Sequence, residues 1–392
     1  MLGLIGWVLL LATTVVATPP GGAFSPDCLV GQPDTYDSSQ ASNVRWYTVN
    51  LDMEPVERFK KIAADHADGI REGVDIIRLM LDGLFGPMAM EVIEHLMDFA
   101  HETRLAQPYK DEITGMSQAS GIPVAHLTMM NMFYELSRFC TSIIAQSPTG
   151  EMFHVRNLDF GQLFWWNTTS RSWGMTDKLK PLTINLMFLK NSRLVYKGTG
   201  FAGHVGVITA MKPNAFTLSM NAREHPDVGN LFQWFTGNFS DAHLAMWLDR
   251  EVMEQANTYD EARDFVKKAP LMAGSYYILG GTRPGQGTVI TRDPSNVVNE
   301  RFLDSNSTNG WFLLQTNYDP GENTIYLDDR RGPGTACMIK LGQNGVGASG
   351  LFQVLKSKTT LNKTTVHTVI MSITLDLYET FIQYCPDPCW FL

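Results

Sequence analysis

The sequence predicts an α+β fold, with a mostly helical N-terminal part followed by antiparallel sheets that carry helices on their outer faces. Three observations lead there. From Leu51 to about Glu135 apolar residues recur at helical spacing. From Cys140 onward the texture changes to short β-like runs joined by turns. The later part reads as strands, a helical pair, then more strands, with no repeat or low-complexity tract, which suits sheets with helices packed outside them.

The chain opens on an apolar run, Leu2 to Val16, that reaches Ala17 before Thr18, Pro19 and Pro20. A small residue followed by prolines reads as a signal-peptidase site, so residues 1–17 are expected to be a signal peptide. No Lys or Arg precedes the run, and a signal anchor is the rival reading. At ~15 apolar residues it is shorter than the ~20 a spanning helix needs. Residues 18–139 are the helical part. Val56, Phe59, Ile62 and Ala63 form one stripe, Ile76, Ile77, Met80, Leu81 and Leu84 another, and Met88, Val92, Ile93, Leu96 and Met97 a third. Pro87 is expected to divide the stretch into two helices. The Met-rich face reads as core, with contact to lipid or a partner as the alternative.

Residues 140–392 are the sheet part. Strands are expected at Cys140 to Ala145, Pro181 to Phe188, Leu194 to Tyr196, Val205 to Thr209, Phe216 to Met220, Tyr276 to Leu279, Thr288 to Arg292 and Trp311 to Asn317. Helix returns from Ser240 to Lys268, with Leu244, Trp247, Leu248 and Val252 on one stripe and Ala262, Phe265 and Val266 on another. The boundary is sharp: a helical segment is expected to end at Phe139 and a strand to begin at Cys140.

Of 392 residues, 44% are hydrophobic and 18% charged, an ordinary globular composition. The formal charge of −9 argues against nucleic acid as a partner. Protonating all nine His would cancel that charge and let the surface approach anionic membranes at about pH 4–5. Any acidic protein shares this property. Four N-glycosylation acceptors, at Asn167, Asn238, Asn306 and Asn362, agree with a secretory route. The five cysteines, Cys28, Cys140, Cys337, Cys385 and Cys389, suggest two bridges and one free thiol, and four cysteines allow three pairings.

Cys140 stands before Thr141-Ser142-Ile143-Ile144-Ala145, and sixteen residues later come Arg156 and then Asp159. A hairpin near Pro148-Thr149-Gly150 would bring the second stretch back beside Cys140, so that a thiol, a guanidinium and a carboxylate share one strand end. On the residues alone, inert core packing of the cysteine and a surface ion pair between Arg156 and Asp159 are the competing readings.

Cys140-Thr141-Ser142 with Arg156-Asn157-Leu158-Asp159-Phe160 resembles the start of the mature catalytic subunit in the acid ceramidase and N-acylethanolamine amidase group. That group consists of N-terminal-nucleophile hydrolases of the bile-salt-hydrolase type. Further matching stretches are Lys180 to Thr183, Phe201 to Gly206, Tyr277 to Gly281, Val289 to Asp293, Gln315 to Asp319 and Asp328 to Arg331. The closing Cys385-Pro386-Asp387-Pro388-Cys389 is similar to the ceramidase branch.

The resemblance implies an αββα sandwich of antiparallel sheets in residues 140–392, with bridges Cys28–Cys337 and Cys385–Cys389. It implies self-cleavage at Phe139–Cys140 into a helical α-subunit and a catalytic β-subunit. Cys140 would be the nucleophile and, through its new α-amine, the general base. Arg156 would hold the thiol or the substrate carbonyl, Asp159 would orient the amine, Asn317 would stabilise the oxyanion and Arg330 would fix the site. Without the resemblance, Asn317 reads as a turn residue and Arg330 as a surface partner of Asp328 or Asp329. No cofactor or metal is implied. The expected partners are ceramide or a related N-acyl lipid, the lysosomal membrane surface and a lipid-presenting activator protein, whose need the sequence leaves open. The expected location is the lysosome, reached through the secretory pathway, with secretion as a second destination. Fatty-acid ethanolamide hydrolysis is the alternative, and a catalytically silent lipid-binding homologue the further one. One departure supports the last: Ala222 stands where the family has Glu, with Glu224 two residues on. The apolar segments Leu163 to Trp166, His204 to Val207 and Leu231 to Phe235 are candidates for a substrate pocket or its mouth, with packing between the two subunits as the alternative.

Overall fold

A computed structural model describes residues 28–133, 139–160, 166–223, 228–239, 242–325, 328–387 and 389. The signal-peptide expectation for residues 1–17 and the displaced carboxylate at Glu224 lie outside these residues, as do residues 163–165 of the aromatic segment.

The strands are β1 (Trp46–Asn50), β2 (Phe139–Gln146), β3 (Met152–Asp159), β4 (Trp166–Asn167), β5 (Ser172–Trp173), β6 (Thr183–Lys190), β7 (Arg193–Phe201), β8 (Thr209–Lys212), β9 (Phe216–Ala222), β10 (Ser275–Gly280), β11 (Gly287–Arg292), β12 (Val297–Phe302), β13 (Phe312–Gln315), β14 (Thr365–Ser372) and β15 (Leu377–Ile382). They form an eight-stranded sheet in the order β1-β6-β7-β8-β9-β10-β11-β12 and a five-stranded sheet in the order β13-β2-β3-β14-β15. β4 and β5 make a separate ribbon. The two large sheets face each other, with β2 and β3 against β9 and β10. Helices Arg331–Leu341 and Ala348–Lys356 cover the outer face of the smaller sheet through Cys337, Met338, Leu351 and Leu355, which pack on Ile143, Val155 and Ile370. Helices Ala245–Gln255 and Tyr259–Lys268 cover the larger sheet. The result is the αββα sandwich implied by the resemblance. Strands buried on both faces explain why β3, β9 and β14 are apolar or paired-polar throughout rather than alternating.

The N-terminal part is more divided than Pro87 alone suggests. It folds as Pro55–Arg58, Lys60–Asp65, Ala67–Phe85, Pro87–Thr103, Tyr109–Ser120 and Val124–Phe133. Gly86 at φ +84° and Pro87 at the first helical position separate the third from the fourth, and Gly121 in the left-handed region ends the fifth. The segment is not purely helical: β1 pairs in parallel with β6 and forms an edge of the larger sheet. Two other expectations need correction. β2 starts at Phe139 rather than Cys140, so the Phe139–Cys140 bond lies within a strand. Val205 to Ile208 is a buried loop, not a strand. There Val205 N donates to Asn131 Oδ1, and a Cβ on Gly206 would stand 2.4 Å from the Met246 Cβ, so the helix rests directly on the loop.

A buried ion cluster joins the two parts. Arg250 Nη2 donates to Glu112 Oε1 at 3.2 Å, Arg58 Nη1 donates to the same oxygen at 3.1 Å, and Arg250 Nη1 also reaches Val205 O at 2.6 Å. Arg250 and Glu112 are both fully buried, and Glu254, 3.1 Å from Arg250 Nη2, extends the cluster. The disulfides Cys28–Cys337 and Cys385–Cys389 are both present, and Cys140 is free and buried.

Candidate active site

The hairpin expected from the sequence forms: β2 and β3 pair antiparallel with Cys140 opposite Leu158 and Ser142 opposite Arg156. Directly opposed residues share a face, and successive residues alternate faces. Cys140, Ser142, Leu158 and Arg156 therefore point toward the eight-stranded sheet, whereas Asp159, opposed to Phe139, points toward the outer helices. This rules out the surface Arg156–Asp159 ion pair. Three residues apart on a strand, the two side chains leave on opposite sides, and both are fully buried.

On the inner face, Arg156 Nη2 donates to Cys140 Sγ at 2.7 Å and to Met220 O at 2.9 Å. Its Nη1 donates to Ile208 O and Thr209 Oγ1, both at 2.7 Å. Two backbone oxygens and the Thr209 hydroxyl thus clamp the guanidinium against the sulfur, where it can stabilise negative charge on the nucleophile. On the outer face, Arg330 precedes the helix Arg331–Leu341. Its Nη1 donates to Cys140 O at 2.7 Å and Asp159 Oδ2 at 3.1 Å, and its Nη2 to Asn317 Oδ1 at 2.8 Å. Its Nε and Nη2 also hold Asp328 at 3.0 and 3.2 Å. Arg330 does pair with Asp328, but in the interior rather than at the surface.

Asn317 lies at the strand end. Its Oδ1 accepts from Cys140 N at 2.9 Å and its Nδ2 donates to Ala222 O at 2.7 Å. Two donors on one atom and a carbonyl on the other fix the amide orientation. All five residues expected from the resemblance are therefore brought together. Asp159 reaches the cysteine through Arg330: its Oδ2 accepts a hydrogen bond from Arg330 Nη1, while the nitrogen of Cys140 donates to Asn317. Burial pushes the Asp159 carboxyl up to about 6 against the opposing charge of Arg330. Desolvation would weaken the Arg330 cation, yet Asp328 and Asp159 hold its pKa above the ordinary arginine value.

Sequence reasoning missed several supporting groups. Asn221 accepts from Ser142 Oγ at 2.9 Å and donates to Gln315 O and Thr316 O at 2.9 and 3.3 Å. It ties the nucleophile strand to the segment that carries Asn317. Arg223 forks onto Asp319 at 2.9 and 2.6 Å, and Tyr276 Oη donates to the same carboxylate at 2.7 Å, which anchors the loop after Asn317. A polar residue alternating into a strand, as Asn221 does, was the available signal. At Ala222 the backbone oxygen, not a carboxylate, meets the site.

A narrow apolar cavity lies beyond the strand ends. Ile77 and Met130 line it from the N-terminal part, and Phe160, Leu179, Phe201 and His204 from the other. His204 Nε2 bonds Met130 O, and burial holds its pKa down to about 4. Of the aromatic segments, Trp166 packs edge-on against Trp173, Trp234 is buried and Phe232 is exposed. Among the glycosylation acceptors, Asn238 and Asn306 are exposed and Asn167 is half-buried. Asn362 is a correction: it is buried, its Nδ2 donates to Thr359 O and its Oδ1 accepts from Thr364, so a glycan has no room.

Residues 140–301 match the model for linear amide C–N hydrolases of the choloylglycine hydrolase family. Residues 42–102 match that for the beta subunit of N-acylethanolamine-hydrolyzing acid amidase. A probable acid ceramidase of Caenorhabditis elegans is 46% identical over 371 residues, covering 94% of this chain and 92% of that one. The acid ceramidase of Heterocephalus glaber is 36% identical, covering 98% and 97%, and that of Homo sapiens is 36% identical, covering 88% of each. Among solved structures, the Caenorhabditis elegans ortholog of N-acylethanolamine-hydrolyzing acid amidase superposes with a TM-score of 0.53 at 30% identity. It covers 62% of this chain and 100% of that one.

Proposed function

The chain belongs to the acid ceramidase family, and from that membership and the contacts of Cys140 we propose that it is a cysteine amidase that hydrolyses ceramide to sphingosine and a fatty acid. The Cys140 sulfur, held 2.7 Å from Arg156 while Asn317 and Arg330 hold the nitrogen and oxygen of the same residue, is the observation that carries the reading.

Activation begins with attack of the Cys140 thiol on the Phe139 carbonyl. The C–N bond breaks, the nitrogen takes a proton, and water then hydrolyses the resulting thioester. The products are a chain ending at Phe139 and a chain whose first residue is Cys140. In turnover the same sulfur attacks the lipid amide carbonyl, and the new α-amine passes its proton toward the leaving nitrogen. Water releases the fatty acid. In this reading the second proton of Asn317 Nδ2 and the Arg156 guanidinium stabilise the charge of the oxyanion, where one donor is worth about 2.7–4 kcal/mol. The Cys28–Cys337 bridge and the Arg250–Glu112 cluster would hold the two chains together. We place the enzyme in the lysosome, in keeping with its glycosylation acceptors and acidic composition.

The structural likeness to an N-acylethanolamine-hydrolyzing acid amidase favours a second reading, hydrolysis of fatty-acid ethanolamides. Purified protein is incubated at acidic pH, sampled on a denaturing gel and assayed with both lipids. Splitting into two fragments and faster hydrolysis of ceramide are expected, and both are abolished in Cys140→Ala. A Cys140→Ala protein that still split before residue 140 would rule out self-cleavage by this thiol.

A further inference from the structure

One buried polar side chain, in register with the nucleophile and packed behind the wall of the apolar cavity, takes no part in the reaction described above. Register places Cys140, Leu158 and His367 opposite one another across β2, β3 and β14, so all three share the face toward the larger sheet. With strands about 4.8 Å apart, the backbone of His367 lies roughly 10 Å from that of the nucleophile. Phe160, the next residue after Leu158 on that side of the chain, lines the cavity. The row Cys140–Leu158–His367 therefore lies directly behind the cavity wall that Phe160 and Phe201 form. Phe201, also in the wall, has its ring 5.7 Å from that of His367.

His367 is fully buried, and neither Nδ1 nor Nε2 has a hydrogen-bond partner. Burial, reinforced by the charge of Arg156, holds its pKa down to about 3, so the ring is neutral at mildly acidic pH. A neutral imidazole offers one N–H donor and one lone pair. Buried donors and acceptors are paired in the great majority of cases, because leaving them unmade is costly. Hydrocarbon satisfies neither nitrogen, whereas a hydroxyl both accepts and donates. A lipid whose amide lies at Cys140 and whose chain runs toward Phe160 and Phe201 passes this row.

We propose that His367 is a specificity-determining residue that hydrogen-bonds a hydroxyl carried by the N-acyl lipid close to its scissile amide. The proposal rests on the amidase reading. The hydroxyl has two possible sources, the amino-alcohol half or the 2-position of the acyl chain.

Processed wild-type enzyme, His367→Phe and His367→Gln are assayed at acidic pH on four amides. The acyl chain is plain or 2-hydroxylated, and the amine is a sphingoid base or an unsubstituted long-chain alkylamine. Wild type is expected to favour a hydroxyl-bearing amide about tenfold in kcat/KM, the equivalent of one net hydrogen bond. His367→Phe abolishes that preference and leaves the hydroxyl-free amide within about twofold, whereas His367→Gln, which keeps a donor and an acceptor, retains most of it. The pair of substrates that responds identifies the source. A uniform loss on all four amides in His367→Phe, or a preference that survives it, overturns the proposal. The wild-type preference is read independently of either variant: one rate on all four removes this proposal alone, and no hydrolysis of any removes the amidase reading with it.

Discussion

Replacing Arg330 with lysine keeps a cation at the centre of the site and removes its planar fork. The guanidinium makes five hydrogen bonds at 2.7–3.2 Å, to Cys140 O, Asp159 Oδ2, Asn317 Oδ1 and both oxygens of Asp328. A lysine ammonium has three donors on one atom and cannot span these acceptors. If it settles between the two carboxylates, the contacts to Cys140 O and Asn317 Oδ1 are lost. At about 1–3 kcal/mol each, that loss amounts to about 2–6 kcal/mol, or roughly 30- to 25,000-fold in rate. Both reactions use the same positioned cysteine, so splitting of the precursor and hydrolysis of lipid should slow together. The assay follows fragment formation on reducing denaturing gels and product release in parallel, with a thermal melt to confirm folding. Arg330→Ala serves as contrast: it leaves Asp159 and Asp328 buried without a cation and should cost about 3–5 kcal/mol of stability. If folded Arg330→Lys protein split and turned over within threefold of the parent, the idea that this fork positions the nucleophile would be refuted.

Glu112→Gln should destabilise the protein by about 1–3 kcal/mol, because Arg250 keeps Glu254 but it and Arg58 lose their shared buried carboxylate, seen as a lower denaturation midpoint; an unchanged midpoint would show that the cluster does not tie the two parts together. Cys28→Ser should let the fragments separate on a denaturing gel without reductant, and fragments that stay covalently joined would contradict the Cys28–Cys337 link. The melting temperature should fall as pH drops from about 6.5 toward 4. Burial holds His154 and His367 at about 3 and His204 at about 4, so the unfolded chain takes up protons that the folded chain refuses. Asp159, raised to about 6, works the other way: its contribution is present below its unfolded value of 3.8 and lost as pH rises through 6. Three protons against one leave the histidines dominant, at about 1.4 kcal/mol per proton and pH unit. His154→Gln should flatten the decline, and an undiminished slope would exclude that residue as a contributor.

Local pattern and chain order made much of this protein readable in advance. The change from helical spacing to β-like runs marked the boundary near residue 139, and the hairpin turn at 148–150 placed Arg156 near Cys140, because strand pairing follows directly from a short turn. The roles of the five site residues, and Asn317 and Arg330 altogether, came from resemblance rather than from physics. Asn317 and Arg330 lie 177 and 190 positions from Cys140, and nothing in their immediate surroundings distinguishes them from a turn residue and a surface arginine. Tertiary structure alone decided which face each residue takes and therefore its partner: Arg156 turns inward to the sulfur, and Asp159 outward to Arg330. It also decided that β1 would cross into the larger sheet, that Asn221 would join two strands, that Asn362 would be interior and that His367, two strands from the nucleophile, would be left without a hydrogen-bond partner. The physical reason is range. Periodicity and turn chemistry act over a few residues along the chain, whereas burial and hydrogen-bond partnership are set by packing between segments hundreds of residues apart.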